Sequence, residues 1–189
     1  TGNVLAAAGR SRSVSNPVLH AGFPAASLFK VITPAAALTR GTIEPNTMIN
    51  FRGGTYVLNE ANYYPDVRRD NNVMSVSEAL GRSCNPVFGR IALRLVSAPV
   101  LSHFAGAFGF NKNLCSQYPL PMSRAYIPDN DYGLSRTGAG FGEVRLSPVH
   151  AATVMSAVAN GGYVVEPVII DRVTTAQGAS LYQAEPRSI

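Results

Sequence analysis

The sequence predicts an α/β (α+β) fold: an antiparallel sheet with helices on both sides and a helical subdomain from about Ser75 to Phe108. Three observations predict it. Of 189 residues, 46% are hydrophobic and only 14% charged, enough to bury a core and unlike a disordered or fibrous chain. Helix start and stop residues bracket apolar stretches, most plainly Ser147-Pro148 before an Ala/Val-rich run and Asn160-Gly161-Gly162 after it. The β-branched stretch Val164–Val173 is followed by Gln177-Gly178 and a return over Ala179–Gln183, which reads as a hairpin.

Taken in order, Thr1 to Gly9 reads as a turn feeding a short buried strand, and residues 10–23 as loop, rich in Ser, Asn, Gly and Pro. A helix is expected from about Ala25 to Leu38, stopping near Gly41, with Pro34 kinking or dividing it because proline removes a backbone donor. Thr42 to Asn72 is expected to be irregular with short β pieces. Ser75 with Glu78 three residues on forms a capping box, so a short helix starts there and ends near Arg82. Ser83-Cys84-Asn85 falls in the loop after it. Pro86 then opens a helix over Val87–Val96, and another spans about Val100–Phe108. Residues 111–135 are expected to be mostly irregular.

Composition limits the function. The net charge of +5 comes from arginines scattered singly, among them Arg10, Arg40, Arg52, Arg90 and Arg145, and no Lys/Arg run supports a nucleic-acid partner. Cys84 and Cys115 make no disulfide framework, and His20, His103 and His150 lie far apart without ligand spacing, so neither a metal nor a cofactor is expected. The chain opens in mid-pattern at Thr1-Gly2, and any targeting segment is expected upstream of it.

The chemistry sits in Pro24-Ala25-Ala26-Ser27-Leu28-Phe29-Lys30. Lys30 is one of only two lysines, and unlike arginine a desolvated lysine can give up its proton and act as a base. Ser27 and Lys30 stand at i and i+3, on one face of a helix. Near a helix start, unpaired N–H groups and the dipole favour a developing alkoxide and disfavour an ammonium. The second element, Ser83-Cys84-Asn85, follows 56 residues after Ser27 at a helix-to-loop junction. A hydroxyl there can relay a proton between Lys30 and a leaving amine, and an amide can bind a substrate carbonyl. Cys84 has no histidine near it in sequence to activate it as a nucleophile.

At these residues the chain resembles the transpeptidase domain of penicillin-binding proteins. Pro24 to Lys30 matches the family's Pro-Gly-Ser-x-Phe-Lys (SxxK) segment, and Ser83-Cys84-Asn85 its SxN. Flanking stretches agree in collinear order, including Phe108-Gly109-Phe110, Gly140-Phe141-Gly142, Leu146-Ser147-Pro148 and Ala159-Asn160-Gly161-Gly162 with Pro167. The resemblance implies a β-lactamase/transpeptidase-like fold, with residues 1–189 as a single, incomplete transpeptidase domain. It implies that Ser27 is acylated, Lys30 is its base, Ser83 a proton relay and Asn85 a substrate-amide ligand. The substrate is then a peptidoglycan stem peptide and β-lactam antibiotics are covalent ligands. The setting is extracytoplasmic (periplasm or outer face of the membrane), with a membrane anchor outside this chain.

One departure stands out. The family's third motif, Lys-Thr/Ser-Gly, has no counterpart, because no lysine follows Lys112. The domain is therefore expected to continue past Ile189, and residues 1–189 alone to be a poor catalyst, since losing an oxyanion-hole donor costs about 10²–10³ in rate. Arg136-Thr137-Gly138 is a tempting substitute on the wrong side of the family order. A serine β-lactamase and a non-catalytic β-lactam sensor are the alternatives; none of the six glutamates is followed four residues later by Asn, as the carboxylate-base lactamases need.

Overall fold

The structure is a computed structural model that describes residues 2–189. Its chain packs as two compact units. One comprises Pro24–Gly106 and Ala125–Val144; the other holds the residues up to Phe23 together with Ala107–Arg124 and Arg145–Ile189.

The first of these units carries the candidate site. After strand β1 (Phe23–Pro24) a 3₁₀ helix covers Ala26–Val31 and runs straight into α1 (Ile32–Thr39). The expected single helix is thus divided, but at Val31/Ile32 and not at Pro34. Pro34 is the third residue of α1, inside the first turn, where a backbone N–H has no intrahelical partner to lose. Strands β2 (Met48–Phe51) and β3 (Asn72–Ser75) pair antiparallel, from Met48 opposite Ser75 to Phe51 opposite Asn72, and frame a long loop. Helix α2 (Val76–Gly81) starts as the capping box requires, with Ser75 Oγ accepting the Glu78 N–H at 3.1 Å. Helix α3 (Asn85–Ile91) follows, with Pro86 in its first turn, and continues as a π-helical turn, Ala92–Val96, before α4 (Ala98–Ala107). This is the expected helical subdomain.

Residues 111–130 are irregular as expected apart from strand β4 (Arg124–Ala125), and the end of the stretch enters α5 (Asp131–Gly138), a helix that the sequence reading missed. Two glycines and few apolar residues hid it, although Asn130 is a sound N-cap, its Oδ1 accepting the Gly133 N–H at 2.7 Å. Gly138 brings α5 close to α3 and its π-turn: a Cβ there would overlap the Ala92 Cβ and lie 3.1 Å from the Phe88 carbonyl oxygen. Strand β5 (Val144–Leu146) completes a three-stranded sheet in the order β1-β5-β4. Phe29, Ile32, Ala36, Val87, Phe88 and Ile91 are fully buried and join α1 to α3 as the core of this unit.

In the other unit, α6 (Pro148–Ala159) begins at Ser147, whose Oγ accepts the His150 N–H at 3.1 Å, and ends at Asn160-Gly161-Gly162 as expected. Leu114, Cys115, Leu120 and Val149 form a small core with Val18, Leu19 and Tyr118 against it. The buried strand expected near the start is reduced to a parallel bridge between Asn3 and Val168, and Leu5 is 93% exposed. A strand needs a continuous ladder, and among the described residues this segment shares only the Val4 N–H bond to Val168 O and the Val168 N–H bond to Gly2 O. The hairpin is β6 (Arg172–Thr174) with β7 (Ser180–Gln183), shorter than read from sequence and exposed throughout. Val164–Ile170 lies outside it, because Pro167 interrupts the ladder and this stretch pairs instead with the end of the chain, Glu166 N–H donating to Arg187 O and Ile189 N–H to Val164 O. Among the described residues, no single helix is long and apolar enough to cross a membrane.

Candidate active site

Ser27 is the second residue of the 3₁₀ helix and Lys30 the fifth, so one turn brings their side chains together. Lys30 Nζ donates to Ser27 Oγ at 2.9 Å and to Ser83 Oγ at 3.1 Å, and Ser83 Oγ donates to Ser27 Oγ at 2.9 Å. These three side chains close a triangle. Ser83 reaches it from the α2–α3 junction on a backbone with φ +54°, a left-handed value that turns its hydroxyl back toward the 3₁₀ helix.

The exposures differ in a way that suits chemistry. Ser27 is exposed, whereas Lys30 is 1% exposed. Burial pushes the Lys30 ammonium down to about 8, only partly opposed by the Cys84 thiolate form nearby. Cys84 itself is fully buried, and burial pushes its thiol up, which leaves it an unreactive packing residue.

Asn85 occupies a different place from the triangle. It is buried, its backbone N–H donates to Thr55 O at 2.8 Å, and its Nδ2 donates to Tyr56 O at 2.6 Å. The residue read as a substrate ligand therefore also ties the β2–β3 loop to the start of α3.

That loop is held by groups the sequence reading missed. Arg90, with Arg52 one of the singly scattered arginines, is 2% exposed on α3. Its guanidinium donates to Asn50 O at 2.5 Å, Asn62 O at 2.9 Å and Tyr64 O at 3.1 Å, and grips both oxygens of Asp70 at 2.5 and 2.9 Å. Arg52 adds a second ion pair to Asp70 at 2.9 Å. Burial pushes the Asp70 carboxyl up, but the Arg90 bonds, the Asp66 N–H and Arg52 outweigh it and hold the group down at about 2. Buried Asn62 completes the loop, accepting from Asn59 N–H and donating to Arg52 O and Val57 O. An arginine inside Val87-Phe88-Gly89-Arg90-Ile91-Ala92 was the available signal, since a charge on so apolar a helix needs a buried partner.

Arg136-Thr137-Gly138 forms the last turn of α5. Arg136 lies over the Tyr132 ring, 5.7 Å from its centroid, and Thr137 Oγ1 donates to Gly133 O. A helix turn presents no strand edge, so this segment does not substitute for the third-motif strand.

The chain is 32% identical over 167 residues to the peptidoglycan D,D-transpeptidase PbpA of Mycobacterium tuberculosis, covering 83% of the chain and 33% of the relative. It is 26% identical over 151 residues to penicillin-binding protein 3 of Bacillus subtilis, covering 77% and 22%. The chain thus spans about a third or less of the length of these curated relatives. Among solved structures, penicillin-binding protein A from M. tuberculosis in its imipenem acyl-enzyme complex superposes with a TM-score of 0.74 at 27% identity, over 93% of this chain and 41% of that one. The D,D-transpeptidase domain of a peptidoglycan glycosyltransferase from Eggerthella lenta shares the fold, with a TM-score of 0.73 at 22% identity over 95% and 46%. The family model for the penicillin-binding protein transpeptidase domain matches residues 1–188, and the chain belongs to that family.

Proposed function

We propose that residues 1–189 are part of one D,D-transpeptidase domain that acts on peptidoglycan stem peptides outside the cytoplasm through an acyl-enzyme on Ser27. The single observation that carries this reading is the triangle of Ser27, Lys30 and Ser83, with an exposed hydroxyl and a buried amine.

In this reading the neutral Lys30 amine takes the Ser27 proton as Ser27 Oγ attacks the carbonyl carbon of the scissile D,D-peptide bond. The C–N bond breaks, and the leaving amine receives a proton through Ser83, whose hydroxyl touches both Lys30 and Ser27. The ester on Ser27 then passes to an acceptor amine, with Lys30 and Ser83 working in reverse. Asn85 holds the substrate amide, its orientation set by the bond from Nδ2 to Tyr56 O. A β-lactam follows the first half: its ring amide opens on Ser27 and the ester remains. The PbpA relatives and the imipenem acyl-enzyme structure support this assignment.

The test is labelling of the full-length protein by a fluorescent penicillin. Wild-type protein is expected to be labelled on Ser27, and Ser27→Ala to lose the label entirely. A label persisting on Ser27→Ala overturns the assignment.

A further inference from the structure

Ala26, the residue before the proposed nucleophile, has φ +47°, a left-handed value that alanine seldom adopts. Such strain persists only where the surroundings impose it. What imposes it here is Gly140, just beyond the end of α5. A Cβ on Gly140 would overlap the Ala26 carbonyl oxygen and stand 2.6 Å from its carbonyl carbon and 3.3 Å from Ser27 N. Only a residue without a side chain can press its backbone so closely on the Ala26–Ser27 peptide. Gly140 also has φ +92°, closed to L residues without strain.

This backbone is anchored. Gly140 N–H donates to Thr137 O at 2.8 Å and Phe141 N–H to Arg136 O at 2.9 Å, which closes the C-terminal turn of α5. Fully buried Thr33 on α1 donates its hydroxyl to Gly138 O at 2.8 Å. The turn is therefore tied to α1, which continues the 3₁₀ helix carrying Ser27 and Lys30.

We infer that Gly140, braced by the Thr33–Gly138 bond, is a positioning residue that holds the Ala26–Ser27 peptide strained so that Ser27 Oγ stays within reach of both Lys30 and Ser83. The inference rests on Ser27 being the acylated residue. Gly140 touches no reacting atom; it acts through the peptide it supports. A displacement of about 1 Å at a reacting group can cost up to 10²-fold in rate, so a shift forced by one methyl group is large enough to read.

The experiment measures acylation of the full-length protein by a fluorescent penicillin, separating the maximal rate, the half-saturating concentration and the label bound per folded molecule. Gly140→Ala is expected to lower the maximal rate about tenfold or more while the half-saturating concentration stays within about twofold. Adding Ala26→Gly, which frees the peptide to move away from the new methyl, is expected to recover part of the rate. Gly41→Ala is the control. Gly41 has φ +66° and no atom near its Cβ position, so it carries similar backbone strain without touching the site, and its rate is expected to match wild type.

A merely structural role would reduce the folded fraction and leave the maximal rate and the label per folded molecule unchanged; that result overturns the inference, as does equal slowing by Gly41→Ala. If Gly140→Ala does not fold, Thr33→Val removes the brace with little change of volume, and a wild-type maximal rate in that variant overturns the inference. Absence of Ser27 labelling in wild-type protein instead overturns the functional reading beneath it.

Discussion

Two cations are buried within one compact unit, and they have opposite fates. Lys30 is 1% exposed and Arg90 2%. Arg90 faces a carboxylate and three carbonyl oxygens, which replace the water it lost. Lys30 has only two hydroxyls, and none of the ion pairs among the described residues includes it. Burial with a partner locks a charge, and the Arg90–Asp70 pair secures the loop over α3. Burial without one weakens the hold on a proton, which suits Lys30 to the base role proposed for it. Residue choice reinforces the contrast, because a guanidinium stays charged in either setting and an ammonium does not.

The sharpest way to break the comparison is to make both sites apolar. Lys30→Met is expected to slow acylation by about 10²–10⁴-fold, the usual worth of a general base, without lowering the unfolding free energy. Lys30→Arg should be as slow, since it keeps charge but cannot accept the proton. Single-turnover labelling with thermal unfolding on the same samples checks both halves. A Lys30→Met variant that melts well below wild type would place Lys30 in the same structural class as Arg90.

Arg90→Met should do the reverse. It strands Asp70 in the interior with only Arg52, and breaking a buried pair on one side costs about 3–5 kcal/mol. Denaturant unfolding is expected to show that loss, and the double variant Arg90→Met/Asp70→Leu to regain part of it. Equal stability for the single variant and wild type would mean that the pair contributes nothing to holding the loop.

This contrast was half legible in the sequence. Ser27, Lys30 and Ser83 announce themselves because one helical turn and one loop deliver them, and because lysine is so rare in this chain. The capping box at Ser75 and the Ser147 start of α6 were readable for the same reason, being local bonds between residues three apart. Arg90, Asp70, Arg52 and Asn62 were not, since their meaning depends on contacts 10 to 40 residues away. Helix α5 was hidden by Gly133 and Gly138: Gly133 packs close against Pro128 and its own N-cap Asn130, and Gly138 lies at the α3 contact, a place only tertiary packing explains. The opening strand failed in the other direction, because its apolar residues promised burial that no neighbouring ladder supplies.

The two cations also sign the pH dependence of stability differently. Asp70 is held at about 2 against an ordinary 3.8. A lowered carboxylate pKa stabilises the fold above the unfolded value, so roughly 2 kcal/mol should be lost as pH falls from about 4 through 2. Lys30 is held at about 8 against 10.5. Between those values the unfolded chain binds the proton that the folded chain releases, so stability should rise with pH across the window, and Lys30→Met should flatten that rise. Unfolding free energies at pH 2–5 and 7.5–10.5 check the two arms. A rise that survives in Lys30→Met would assign it to another group.

The smallest effect tests the base directly. With Lys30 at about 8, roughly one molecule in ten carries the neutral amine at pH 7 and about nine in ten at pH 9. If the neutral amine accepts the Ser27 proton, the acylation rate should climb about tenfold between these two pH values, with a midpoint near 8. Only the unpaired cation should imprint itself on this profile. Arg90 keeps its charge throughout, so Arg90→Lys, at a temperature where it remains folded, should leave the midpoint where it is. A profile flat from pH 7 to 9 would mean that Lys30 stays protonated through acylation. Ser27 would then need another proton acceptor, and the two buried cations would differ in packing but not in chemistry.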